Sequence, residues 1–306
     1  MIDVDIPQLS SNGIYFGYDI FYGYRCFDYT YSLQSSSTHP LISSSFDATG
    51  LENYINFGTM EPSASSTVIR NRTEFNSIPL DVDDLWIGRF DTSDVSEYLP
   101  SRFQSLKTLV IGNGLFWSVN RLELNNQTSL QILYIGNGCF GKVRVFELNG
   151  LSELKSVIVG GSSFSISSSE ESDGSYRIVN CPKLKSIQIG DGSFSDYHSI
   201  ELNNLPSLQS IIIGNDCFGN VRVFELNGLG ELESVVIGER SFMISSEERR
   251  DGSCRIVNCP KLKSIQIGDW SFHSYHSFEL NNLPSLQSID MGDYCFFLAP
   301  SFSLTG

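Results

Sequence analysis

The sequence is short of positive charge: 20 Lys and Arg stand against 35 Asp and Glu, a formal net charge of −15. Phosphate backbones are held by clustered Lys and Arg that displace counterions, so nucleic acid is not an expected partner. No apolar run approaches the roughly 18 residues that a membrane-spanning helix needs, so no span is expected. The opening MIDVDIPQLSSNG has neither a basic stretch nor an apolar one, and does not read as a secretory signal. Absent too are a phosphate-binding loop ending in Gly-Lys-Ser/Thr, a dinucleotide glycine fingerprint, H-E-x-x-H and C-x-x-C. No cofactor is expected. His198 and His276 are repeat equivalents, and His273 lies near His276. A metal site would want further ligands, so none is expected there.

Seven cysteines are present: Cys26, Cys139, Cys181, Cys217, Cys254, Cys259 and Cys295. Cys139, Cys217 and Cys295 recur at one fixed interval, and Cys181 and Cys259 are separated by the same interval. They read as repeat positions and not as a disulfide framework. Equivalents three rungs apart would be separated by about 14 Å at a strand spacing of about 4.8 Å, beyond the roughly 7 Å that a disulfide tolerates. Reduced cysteines and the lack of a signal favour the cytoplasm; a cell-surface or secreted setting fits if the chain is a piece of a longer protein.

What the sequence does have is a period. A glycine after an aliphatic pair recurs at Gly88, Gly112, Gly136, Gly160, Gly190, Gly214, Gly238, Gly268 and Gly292, with spacings of 24, 24, 24, 30, 24, 24, 30 and 24. Above it lies a longer unit of three repeats. Segments 137–214 and 215–292 are identical at roughly three positions in four, which marks a duplicated block. Fixed periods of this size mark solenoids. The stretch Leu208, Ile211, Ile213 before Gly214 alternates with period two and reads as a strand. One bulky residue is kept in one slot at Phe116, Phe140, Phe164, Phe194, Phe218, Phe242, Phe272 and Phe296, and is expected to stack as an internal ladder. A second apolar stretch completes each repeat, as in Val221–Leu226. It is followed by asparagine at Asn125, Asn149, Asn180, Asn203, Asn227, Asn258 and Asn281, expected to turn inward and bond the next rung's backbone. Val, Phe, Asn and Gly in this half, with Pro182, Pro206, Pro260 and Pro284, oppose helix.

The unit L-x-x-I-x-I-G-x-x-x-F over about 81–296 resembles leucine-rich repeats of the BspA-like class, with Phe218 in the last slot of L-x-x-L-x-L-x-x-N-x-L. The pattern departs at the Asn slot, which holds Gly138, Asp216, Arg240 or Trp270. The expected fold is therefore a β-rich solenoid: a leucine-rich-repeat-like right-handed coil of 24-residue repeats with a parallel sheet and little helix. Residues 1–57 form an aromatic and acidic N-terminal region and 58–306 the solenoid. Residues 14–33, with nine aromatics, are expected to cap the first rung as a hairpin. Two 30-residue repeats carry polar insertions at 166–177 and 244–255, expected to protrude as loops.

Both the repetition and the family resemblance imply binding or adhesion. The expected function is non-catalytic recognition of a protein partner, adhesive or scaffolding, and not an enzyme. Side chains alternate across a strand, so the second residue before each glycine points outward. In that column stand Trp86, Val110, Tyr134, Ile158, Ile212 and Val236, interrupted by Gln188 and ending in Gln266 and Asp290. An exposed apolar stripe marks an interaction site; the alternative is that the aromatic N-terminal segment covers it. A polysaccharide-active enzyme on a parallel β-helix and a passive spacer are the other functions the architecture allows.

Overall fold

The computed structural model describes residues 62–305, apart from 89, 96–102, 104, 126, 167–173 and 245–251, together with two strands at 2–5 and 14–16. Among the described residues almost all regular structure is parallel strand. The one helix among the described residues is a single turn, α1 (Arg72–Asn76), capped by the Asn71 side chain, which accepts from the Glu74 N–H at 3.0 Å.

Each rung contributes a strand to a main sheet. The aliphatic stretches before the glycines form β3 (Thr67–Ile69), β4 (Asp84–Ile87), β5 (Thr108–Ile111), β7 (Ile132–Ile135), β9 (Ser156–Val159) and β11 (Ser186–Ile189). The row continues with β13 (Ser210–Ile213), β15 (Ser234–Ile237), β17 (Ser264–Ile267) and β19 (Ser288–Met291). With β2 (Ile14–Phe16) they make one eleven-stranded parallel sheet, β2 at one end and β3 at the other.

The other half of the repeat is also strand: β6 (Arg121–Asn125), β8 (Val145–Asn149), β10 (Gly174–Val179), β12 (Tyr197–Asn203), β14 (Val223–Asn227), β16 (Gly252–Val257), β18 (Tyr275–Asn281) and β20 (Ser301–Thr305). These lie in two parallel ladders, β6 to β12 and β14 to β20, the latter extended by β1 (Ile2–Asp5). The solenoid thus has two β faces. The gap falls at β12, where Ile200 is only partly buried; its equivalent in the second block, Phe278, is buried and stacks on Phe296 at 4.3 Å.

The core runs between the sheets. The third residue before each repeat glycine is aliphatic throughout, as with Leu109, Leu133, Val157, Ile187, Ile211, Val235, Ile265 and Ile289, all buried. Beside them the eight phenylalanines stack ring on ring, at 5.5, 5.2, 4.6, 5.4, 5.3, 4.7 and 5.0 Å from Phe116 to Phe296. Each has a left-handed φ, between 51° and 58°. Such a φ is costly for a bulky residue, and burial of the ring in the stack offsets it. From Phe140 onward a small residue precedes each ring. Ser163, Ser193, Ser241 and Ser271 are fully buried, and their hydroxyls donate to the Gly136, Gly160, Gly214 and Gly238 carbonyls at 2.6–2.8 Å. In the same slot the thiols of Cys139, Cys217 and Cys295 donate to the Gly112, Gly190 and Gly268 carbonyls. This accounts for the column Cys139, Cys217 and Cys295: a thiol and a hydroxyl fill the same role. The six described cysteines are all free and buried.

Three sequence expectations change. First, the insertions are not wholly loop. Gly174–Arg177 belong to β10 and Gly252–Arg255 to β16, and Tyr176 is buried against Phe146 at 5.0 Å. The Asp-Gly signal marks the start of a strand. Second, the asparagine column mixes two slots. Asn180 and Asn258 have left-handed φ and align with Gly150, Asn204, Gly228 and Asn282, not with Asn149 or Asn227. Their side chains are exposed and bond those of neighbouring rungs: Asn180 Nδ2 donates to Asn149 Oδ1 at 3.0 Å, and Asn204 Nδ2 to Asn180 Oδ1 at 2.9 Å. Third, the described N-terminal strands lie at the last rung, not the first: Ile2 pairs with Phe302, and Ile14 with Ile289. The remainder of the expected hairpin, and Cys26, lie outside the described residues.

Candidate functional site

Pairing in register turns the outward column into a single row across the main sheet. Trp86 pairs with Val110, Val110 with Tyr134, and Tyr134 with Ile158. Gln188 stands between Ile158 and Ile212, and Val236 follows Ile212. Gln266 and Asp290 continue the row. All six apolar residues therefore share one face. They are not a bare stripe, however. Val110 and Ile212 are 7% and 8% exposed, and Trp86, Tyr134, Ile158 and Val236 are half-buried. Strands only about 4.8 Å apart let each large side chain shade its neighbours.

Small polar side chains run beside this row. Ser156, Ser186, Ser210, Ser234, Ser264 and Ser288 are paired on six successive strands, with Ser186 donating to Ser156 at 3.1 Å. The Trp86 indole N–H donates to Asp84 at 2.7 Å. Burial pushes the Tyr134 hydroxyl's pKa up, with a smaller contribution from Cys139, and burial likewise raises the Asp290 carboxyl. The face is thus mostly uncharged and partly dehydrated.

The opposite face differs. On β10 the Arg177 guanidinium bridges Glu147 at 3.1 Å and Glu201 at 2.7 Å, and one block later Arg255 bridges Glu225 at 3.2 Å and Glu279 at 2.7 Å. Beyond these, Lys183 meets Glu153 and Lys261 meets Glu231, both at 2.6 Å.

A third surface is the turn after each repeat glycine. Its first residue bonds the rung beyond: Asn113 Oδ1 accepts from the Asn137 N–H at 2.8 Å, Asn137 from Gly161 at 2.7 Å, Asp191 from Asn215 at 2.8 Å, and Asp269 from Asp293 at 2.8 Å. The next residue is left-handed: Gly114, Gly138, Ser162, Gly192, Asp216, Arg240, Trp270 and Tyr294. This is the slot where the leucine-rich pattern has asparagine, and its conformation turns the side chain away from the core. Where it holds glycine, a shallow groove of about 480 Å³ crosses Gly114, Gly138 and Ser162. At the other end it holds aromatics. Trp270 stacks on Tyr294 at 4.3 Å and on His273 at 5.2 Å, and His273 on Phe297 at 5.1 Å. The sequence signal for this cluster is a break in the duplication, which a search for recurring columns passes over.

His198 and His276 are half-buried, each with a buried Nδ1 that has no hydrogen-bond partner. Among the described residues no three His, Cys, Asp or Glu groups converge as a metal site, and no helix is long and apolar enough to cross a membrane. Burial pushes the thiol pKa values of Cys139 and Cys217 up, away from nucleophilic reactivity. No family model, curated protein or solved structure matches the chain.

Proposed function

We propose that this protein is a non-catalytic recognition module, adhesive or scaffolding, that binds a protein partner through the outward face of the main sheet. The observation that carries the reading is the row Trp86, Val110, Tyr134 and Ile158 on four adjacent paired strands. Trp and Tyr dominate protein interfaces because each buries a large area with few rotamers to freeze. From Ile158 onward the flanking column is serine, which leaves room for a partner to approach the backbone; beside Trp86, Val110 and Tyr134 it is Asp84, Thr108 and Ile132. The Glu–Arg–Glu bridges lie on the opposite face, and the pairs Lys107–Asp83 and Lys263–Glu233 stand just before the main-sheet strands and not in the row, which supports the assignment, since charged groups are costly to desolvate. We further propose that the repeats belong with the BspA-like class of leucine-rich repeats, on the 24-residue period and the strand–glycine–phenylalanine order.

The test is to replace Trp86 and Tyr134 together with Ala, then compare recovery of partners by pull-down with thermal unfolding. Lost capture at an unchanged melting temperature is the expected result. A large drop in stability with no partner recovered by the wild-type protein would show that the row is simply buried sheet.

A further inference from the structure

The two three-repeat blocks act as internal controls for each other, since they share a rung structure and most of their residues. One group of differences is concentrated in space. One block length further along the chain, Gly192 becomes Trp270, Ser195 becomes His273, Asp216 becomes Tyr294 and Gly219 becomes Phe297, the last two just past the second block. All four replacements introduce rings, and all four rings meet in one cluster on the turn edge. The fold does not need them there, because the same turns close with glycine, serine and aspartate one block earlier. Trp270 also has a φ of 62°, which glycine adopts freely and tryptophan does not, and it is 41% exposed. Its stacking partners, Tyr294 and His273, are themselves rings that the equivalent turns one block earlier lack.

The charge beside the rings also exceeds what the turns require, at two of three positions. The residue after each repeat glycine has to accept one backbone N–H, and Asn113, Asn137 and Asn215 do so. On the last three rungs this position is Glu239, Asp269 and Asp293: Asp269 accepts the Asp293 N–H as its equivalent Asp191 accepts that of Asn215, while Glu239 and Asp293 stand where one block earlier has Gly161 and Asn215. Burial raises the Asp269 carboxyl, the Asp293 N–H that it accepts lowers it and the charge of Asp293 raises it again, while burial and then Asp269 raise Glu239, so the charges of these carboxyls reach one another. One guanidinium is already accepted on this edge. Arg240 sits in the rung before Trp270, donates to both oxygens of Asp216 at 2.7 Å, and lies 3.5 Å from Glu239.

We propose that Trp270, Tyr294, His273 and Phe297, with the carboxylates of Asp269 and Asp293, form a second binding site that takes arginine side chains of a basic peptide segment. Guanidinium groups stack on aromatic rings and pair with carboxylates, so one side chain satisfies both halves of the cluster. The site is separate from the main-sheet row and stands or falls without it.

The experiment is calorimetric titration of the full chain with a hexa-arginine peptide, with hexaglutamate and maltohexaose as comparison probes, at low and moderate salt. The key variant is Trp270→Gly with Tyr294→Asp, which restores residues the equivalent turns already have and so preserves the fold. The wild-type protein is expected to bind hexa-arginine, more weakly as salt rises, and the double variant at least tenfold more weakly while melting no lower. Asp293→Asn, matching Asn215, is expected to weaken binding to a smaller degree. Equal binding by wild type and double variant would show that net charge alone holds the peptide, and would overturn the site. Absence of hexa-arginine binding, or binding of maltohexaose in its place, would overturn it as well.

Discussion

The two sheets of each rung bury the same kinds of side chain inward and differ in what they turn outward. The second sheet presents Glu–Arg–Glu bridges that repeat from one block to the next, at Arg177 and again at Arg255. The main sheet presents serine and a half-buried row of aliphatic and aromatic residues, with Asp84 and Asp290 as the charges on its outward columns. Parallel strands need a hydrophobic inner face, but nothing in their pairing dictates the outer one. One face is built to stay in water and the other can leave it at little cost. The contrast is what makes the main sheet the better candidate for a partner.

The largest effect is expected where the two faces share a core. Phe218→Ala removes a ring stacked between Phe194 and Phe242 at 5.4 and 5.3 Å, and should cost about 3–5 kcal/mol in denaturant unfolding. A loss below about 1 kcal/mol would show that the ladder is not what joins the sheets. Next comes the charged face. Arg255→Gln should lower the unfolding midpoint only slightly, because both of its bridges are exposed to solvent, and the difference should shrink with added salt. A larger, salt-insensitive loss would mean that this face too is effectively dehydrated.

Smaller still is the charge on the uncharged face. Burial raises the folded pKa of Asp290 above its unfolded value. Its contribution to stability is therefore fully present below the unfolded pKa and is lost as pH rises through the folded one. Asp290→Asn should accordingly unfold at slightly higher denaturant at neutral pH, with the advantage gone below about pH 4. The opposite sign would place Asp290 in an unrecognised favourable contact. Least of all should follow from deleting 168–173, the six residues by which this repeat exceeds the 24-residue ones. The β signal in circular dichroism should be unchanged, and its collapse would assign those residues to the core.

Much of this was legible in the sequence because a solenoid repeats its requirements. Gly214 and Phe218 return at fixed spacing, and side chains that return on every rung have to fill one column. The same logic failed at the 30-residue repeats. There Tyr176 and Cys254 look like insertion residues, yet the strand resumes at Gly174 and Gly252, and Asn180 and Asn258 are displaced by one slot from Asn149 and Asn227. Counting asparagines could not separate a strand end from the left-handed turn after it. The buried serines before the phenylalanines were missed because serine is common throughout the chain, and only geometry shows that Ser241 and Cys217 fill one hydrogen-bonding slot. The aromatic cluster at Trp270 was missed for the reverse reason. It is not a column, and a reading built on recurrence gives no weight to what occurs once.

The pairing of β1 with β20 has a consequence for how the chain is made. Repeat arrays can ordinarily fold as they emerge, each rung resting on the one before, because contacts are confined to neighbours. Here Ile2 is paired with Phe302 and Val4 with Leu304. The segment that finishes the last rung is synthesised well ahead of the strands it covers, and it has to wait through the production of every rung in between. The pairing of β1 therefore has to follow synthesis of β20, even if the rungs between them assemble as they emerge. A nascent chain stalled before residue 301 would hold a formed solenoid with residues 2–5 still waiting for β20.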